Sequence, residues 1–262
     1  MTPRLDPIAS MWLGARLSTM EQICLSSFVY HGHSTTLYVY DSVEGIPSGV
    51  TVVDANSIVD RSEIFVNRKG SYAGFADLFR WELLRQRPVI WVDTDVICLR
   101  PFTFQRDYLF GLQDEATINI AVIGLPLGSK VCTDLARMCR EPHAPLPYDG
   151  LRVRARKFIR RYLQGDRRGN IGWGEGGGVH AFSQYAQHHG LFSYALPMNT
   201  FYPIGMHDWR SFLDGTLRLH DERLYQSHAV HLWNEFFRRN QISKDAPFPA
   251  GSFLDDAVRT FL

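Results

Sequence analysis

The sequence predicts an α/β fold in which a mostly parallel central sheet is flanked by helices. Three observations lead there. Short apolar strand patterns alternate with helical patterns from residue 8 onward. The first helix carries both a start and a stop signal. A buried strand pattern, Val89-Ile90-Trp91-Val92, also runs straight into Asp93-Thr94-Asp95, and open α/β sheets collect ligands at the carboxyl ends of their strands.

In chain order, residues 8–13 read as the first strand. Ser18-Thr19-Met20-Glu21 is a capping box that opens a helix, which Gly32 ends. Residues 36–40 and 50–53 read as the second and third strands. The first two strands flank an amphipathic helix and so form a βαβ unit, which implies parallel pairing. A helix from about residue 71 to 87 follows, with Phe75, Leu78, Phe79, Leu83 and Leu84 forming its apolar stripe. Pro88 stops it before the strand that leads into Asp93. Residues 118–123 form another buried strand. Helices are expected near residues 128–139 and 151–163, and a glycine-rich stretch occupies 172–178. No linker interrupts the chain, so residues 1–262 read as a single domain.

The composition is 45% hydrophobic and 21% charged, which excludes a disordered or collagen-like chain. The net charge of +1 gives no basis for nucleic-acid binding. The charge is nevertheless uneven. Between Arg152 and Arg168 lie eight basic side chains against the single Asp166, a net of +7, which leaves −6 for the remainder. This segment is either a solvated helix face or a patch for an anionic partner such as a membrane surface or an acidic polymer. Cys24, Cys98, Cys132 and Cys139 show no C-x-x-C spacing, as expected of reduced, mostly buried thiols. Asp6 and two prolines precede the first apolar stretch, and no apolar run reaches 18 residues. The expected location is therefore cytoplasmic, with at most peripheral membrane contact.

Two carboxylates at i and i+2 after a buried strand can converge on one hard divalent cation, Mn²⁺ or Mg²⁺, and bridge it to a substrate diphosphate. Asp93 and Asp95 have that spacing. Alone, the pair is also compatible with a turn that caps the strand. Asp77 and Arg80, at i and i+3, share one helix face and read either as a surface ion pair or as a clamp for a sugar donor. His231 follows an alternating stretch, but ten histidines are present and spacing alone does not select it.

Four stretches, taken together and in order, resemble the DXD sugar-binding glycosyltransferases: bacterial capsular and lipopolysaccharide sugar transferases, alpha-1,4-galactosyltransferases and the catalytic domains of clostridial glucosylating toxins. They are Trp12-Leu13-Gly14; Ala76-Asp77-Leu78-Phe79-Arg80, with its Asp 16 residues before the D-x-D; Val92-Asp93-Thr94-Asp95-Val96; and His231-Leu232-Trp233-Asn234. The resemblance implies a GT-A-like nucleotide-sugar-binding fold and transfer of a sugar from a UDP-sugar to a hydroxyl of a glycan, glycolipid or polysaccharide, with retention. It implies that Asp93, Asp95 and His231 hold Mn²⁺ (or Mg²⁺). Trp12 and Leu13 would border the base, Asp77, Arg80 and Asn119 the sugar, and Trp233 and Asn234 the phosphates.

The sequence also departs from the family pattern. Ala76 replaces a serine, Arg87-Pro88-Val89 replaces a glycine pair, and Gly178 stands where the W-G-x-x-G-P block has proline. Glu175, inside that block, is a further candidate catalytic carboxylate. Two rival readings remain at this level. One is a HAD-like aspartyl-phosphate phosphatase with Asp93 as nucleophile; it needs a later lysine and an acidic pair, and Asp255-Asp256 lacks a preceding strand. The other is a non-catalytic binder of nucleotides or glycans.

Overall fold

A computed structural model describes residues 5–262. Six strands form the central sheet: β1 (Ile8–Trp12), β2 (Thr35–Val39), β3 (Val50–Asp54), β4 (Ile90–Val92), β6 (Leu109–Leu112) and β7 (Ile118–Gly124). Their spatial order is β3-β2-β1-β4-β7-β6. The first four run parallel, and β7 is antiparallel to both its neighbours. A two-stranded antiparallel ribbon joins β5 (Val96–Cys98) to β8 (Ala229–His231). The sheet is thus mixed α/β and mostly parallel, as the strand and helix patterns predict.

Helices cover both faces, which is why β1, β4 and β7 are mostly apolar and buried on both sides rather than alternating. Ala9, Met11, Trp91 and Ile123 face one core, shared with α2 (Ala73–Gln86), α3 (Lys130–Arg140) and α5 (Val179–His188). Ile8, Ile90 and Val122 face the other, where Phe28 of α1 (Thr19–Tyr30) packs. A satellite core gathers α1, α6 (Asn234–Arg239), α7 (Phe253–Phe261) and the β5–β8 ribbon.

The local signals act as expected. Glu21 accepts hydrogen bonds from both the backbone N–H and the hydroxyl of Ser18 at the start of α1. Gly32 adopts φ +84° just beyond its end, a conformation an L side chain rarely takes. Arg87 is extended ahead of Pro88, so α2 stops at Gln86. The segment after residue 150 differs in detail. It is α-helical over α4 (Leu151–Phe158) and continues as a π-helix over Ile159–Leu163, with no buried residue in either part. All four cysteines are free and buried.

The topology fixes where a ligand can sit. From β1 the chain moves outward to β2 and β3, then crosses back to β4 on β1's other side. The carboxyl ends of β1 and β4 therefore flank a switch point, where helices diverge and leave a crevice. Trp12 ends β1, and Asp93 follows β4.

Candidate active site

The D-x-D turn lies between β4 and β5. The Asp93 N–H donates to the Ala121 carbonyl of β7 at 2.8 Å, and the Val96 N–H closes the turn onto the Asp93 carbonyl at 3.2 Å. On the ribbon, Val96 pairs with His231. The Leu232 N–H also donates to the Asp95 carbonyl at 2.9 Å. This register carries a histidine from near the C-terminus to the tip of β4. Ligand atoms of Asp93, Asp95 and His231 lie within 4.8 Å of one another, among the described residues the one such group of three or more.

Each carboxylate is oriented by the protein. Asp93 Oδ1 accepts from Arg80 Nη2 at 2.7 Å and from Trp91 Nε1 at 2.6 Å. Asp95 Oδ2 accepts from the backbone N–H of Asn234 at 3.0 Å and lies 3.1 Å from His231 Nε2. Arg80 also pairs with Asp77 one turn earlier on α2, and its guanidinium lies 4.9 Å from the centroid of the Trp91 ring. One buried arginine thus links two carboxylates, a task suited to its planar fork.

The electrostatics follow from burial and pairing. Burial raises Asp77 above the ordinary carboxylate value, and Arg80 only partly offsets it. Burial opposes charge on Arg80, but Asp93 and Asp77 outweigh it and raise the guanidinium further. Burial alone would raise Asp95 and lower His231. Their mutual attraction prevails, holding the carboxyl below and the imidazole above their usual values.

These groups line one cavity of about 560 Å³. Trp12, Leu13, Asp77, Arg80, Asn119, Trp233 and Asn234 line it as well, so residues up to 222 positions apart meet on one wall. Asn119 Nδ2 donates to Gln113 Oε1 at 2.8 Å, while its carbonyl oxygen accepts from the Ala121 N–H at 2.8 Å. Trp233 sits in the left-handed region at φ +58°, unusual for a bulky residue. Its Nε1 donates to the Ile204 carbonyl at 2.9 Å. That kink turns the chain from β8 into α6 and delivers the Asn234 N–H to Asp95. Several buried polar atoms here have no protein partner: Trp12 Nε1, Arg80 Nε, His231 Nδ1 and Asn234 Oδ1.

Glu175 is not among the lining residues. It faces the basic segment, paired with Arg156 at 2.7 Å and Arg160 at 2.8 Å, and accepts from the Gly172 N–H. The loop around it nonetheless reaches the cavity through Trp173 and Gly174. Gly178, where the family pattern has proline, packs so closely that a Cβ there would lie 2.9 Å from Asp77 Oδ2. Sequence reasoning missed Gln113, Trp91 and Trp173. The short apolar run at residues 109–112 could have pointed to a strand ahead of Gln113, and the position of Trp91 two residues before Asp93 could have placed its indole on the same side.

Residues 179–249, from α5 through β8 and α6, match the family model of the "Alpha 1,4-glycosyltransferase conserved region". Over this stretch the chain is similar to the alpha-1,4-glycosyltransferases. The matched stretch contains His231, Trp233 and Asn234, which lie beside the D-x-D turn. Among solved structures the chain is similar to one titled "PaToxG Glycosyltransferase", with 13% identity and a TM-score of 0.48 over 70% of this chain and 68% of that one. No curated protein matches the chain.

The three clustered ligands are two carboxylates and an imidazole, a donor set suited to Mn²⁺ and compatible with Mg²⁺. The unpartnered His231 Nδ1 and Asn234 Oδ1 agree with a polar ligand completing this wall.

Proposed function

We propose that this protein is a metal-dependent transferase that moves a sugar from a UDP-sugar to a hydroxyl of a glycan, glycolipid or polysaccharide, with residues 1–262 acting as one catalytic domain. The observation that carries the reading is the convergence of Asp93, Asp95 and His231 on the wall of a cavity at the β1–β4 switch point. Asp93, Asp95 and His231 would hold Mn²⁺ or Mg²⁺, which offsets charge on a departing diphosphate.

The chain's own groups supply the rest. Trp12 and Leu13 border the base, and Trp233 and Asn234 stand on the phosphate side. Arg80 holds Asp77 and Asp93 in fixed positions, so Asp77 can accept hydrogen bonds from sugar hydroxyls while Asp93 stays aimed at the cation. Asn119, locked by Gln113, offers an amide to the same sugar. Four carboxylates line the cavity, and each is already engaged: Asp77 and Asp93 by Arg80, Asp95 by His231, and Glu235 by Arg238 and Arg239. None is poised as a covalent nucleophile, so with retention, which the family resemblance implies, attack on the leaving-group face is the compatible route. Glu175, paired with two arginines, acts in this reading by holding the 172–178 loop. Among the described residues no helix is long and apolar enough to cross a membrane, which is compatible with a cytoplasmic, membrane-peripheral enzyme.

The test is release of UDP from a panel of UDP-sugars with Mn²⁺, comparing the wild type with Asp95→Ala. Equal Mn²⁺-dependent release by both would refute the proposal. Tight UDP binding without release under any acceptor would point to a non-catalytic binder.

A further inference from the structure

The helix that carries the basic segment has two chemically different faces. Leu151, Ala155, Phe158 and Tyr162 recur at spacings of four, three and four, so they share one side, with Ile159 and Leu163 beside them. That side points to solvent: Leu151 is 86% exposed, Phe158 58%, Tyr162 65% and Leu163 73%. The opposite side is bolted to the body, Lys157 to Asp149 and both Arg156 and Arg160 to Glu175. Among the described residues, Arg152, Arg154, Arg161 and Arg167 have no carboxylate partner. Of these, Arg154 and Arg161 precede the outward apolar positions around the helix, and Arg152 follows them.

An outward apolar ridge flanked by cations is the pattern of a helix that lies in a membrane interface. The charge selects the occupant. A second copy of the chain would bring the same positive ridge against this one, and an acidic polymer would leave Leu151, Phe158 and Leu163 in water. We propose that α4 and its π-helical continuation dock this protein on an anionic lipid bilayer, with Leu151, Phe158, Tyr162 and Leu163 entering the headgroup region and Arg152, Arg154 and Arg161 meeting lipid phosphates. Glu175 ties this helix to the loop whose Trp173 lines the cleft. Docking would therefore hold the cleft beside the bilayer and favour a lipid-linked acceptor. That consequence rests on the transferase reading; the docking itself does not.

Flotation of the full chain with phosphatidylcholine vesicles, with and without phosphatidylglycerol, tests this independently of catalysis. Binding is expected only with the anionic lipid and should weaken as salt rises. Arg161→Ala should weaken it about fivefold, and Phe158→Ser with Leu163→Ser about tenfold or more. UDP release with a soluble acceptor should be unchanged in both variants, as should thermal melting, because the altered side chains project into solvent. No binding to anionic vesicles, binding insensitive to these substitutions, or a dimer that Phe158→Ser dissociates would overturn the proposal.

Discussion

His231 Nε2 lies 3.1 Å from Asp95 Oδ2, although 136 residues separate them in the chain. The pairing exists because β5 and β8 run antiparallel with Val96 opposite His231, which sets the imidazole beside the D-x-D turn. The two side chains are each other's partners here, and in the proposed enzyme both would serve as ligands to the cation.

That change of partner predicts a pH dependence. The His231 pKa is raised above 6.5, so at mildly acidic pH a metal must displace its proton. Mn²⁺ affinity should rise through the His231 titration, changing about tenfold per pH unit on the acid side. Calorimetry across that range checks this, and a flat profile would count against His231 as a ligand. The linkage to stability without metal has a definite sign. The His231 contribution is complete below 6.5 and is lost as pH rises through its raised folded-state value. The Asp95 contribution is present above 3.8 and is lost as pH falls through its lowered one.

Removing a ligand should separate metal chemistry from folding. His231→Ala is expected to reduce Mn²⁺-dependent UDP release by about a hundredfold or more, given the several kcal/mol a bound cation supplies. Metal affinity by calorimetry should fall in parallel while the variant stays folded by circular dichroism.

Arg80 predicts a larger structural effect. Removal of its guanidinium leaves Asp77 and Asp93 buried or half-buried without a counter-charge. Arg80→Ala should cost about 3–5 kcal/mol in urea unfolding. Arg80→Lys should recover only part of that, because an ammonium group cannot reproduce the fork that spans both carboxylates.

Gly177 is a packing constraint within the glycine-rich loop. It adopts φ +97°, and a Cβ there would lie 2.2 Å from Cys139 Sγ. Gly177→Ala should therefore lower stability by about 1–3 kcal/mol or more, read as a drop in melting temperature.

Glu175 offers a discriminating case. Its carboxylate is held by Arg156 and Arg160, with its charged form favoured by the Gly172 N–H and those arginines against the cost of burial. Glu175→Gln should loosen the 172–178 loop, raising KM more than it lowers kcat. A collapse of kcat with KM unchanged would return Glu175 to a direct role in transfer.

Much of this protein is legible in the order of its residues. The βαβ start, the stop at Pro88 and the buried strand before Asp93 are local signals, because capping, fixed proline φ and apolar runs act over a few residues. The amino-acid sequence also set the +7 segment and the D-x-D spacing. What it could not decide is which distant groups meet. No local pattern distinguishes His231 from nine other histidines, or shows that Glu175 faces arginines while Trp173 turns to the cleft. Those outcomes depend on the β5–β8 register, the left-handed turn at Trp233 and the crossover from β3 to β4. Each is stabilised by contacts between segments far apart in the chain, so only the assembled tertiary structure determines them.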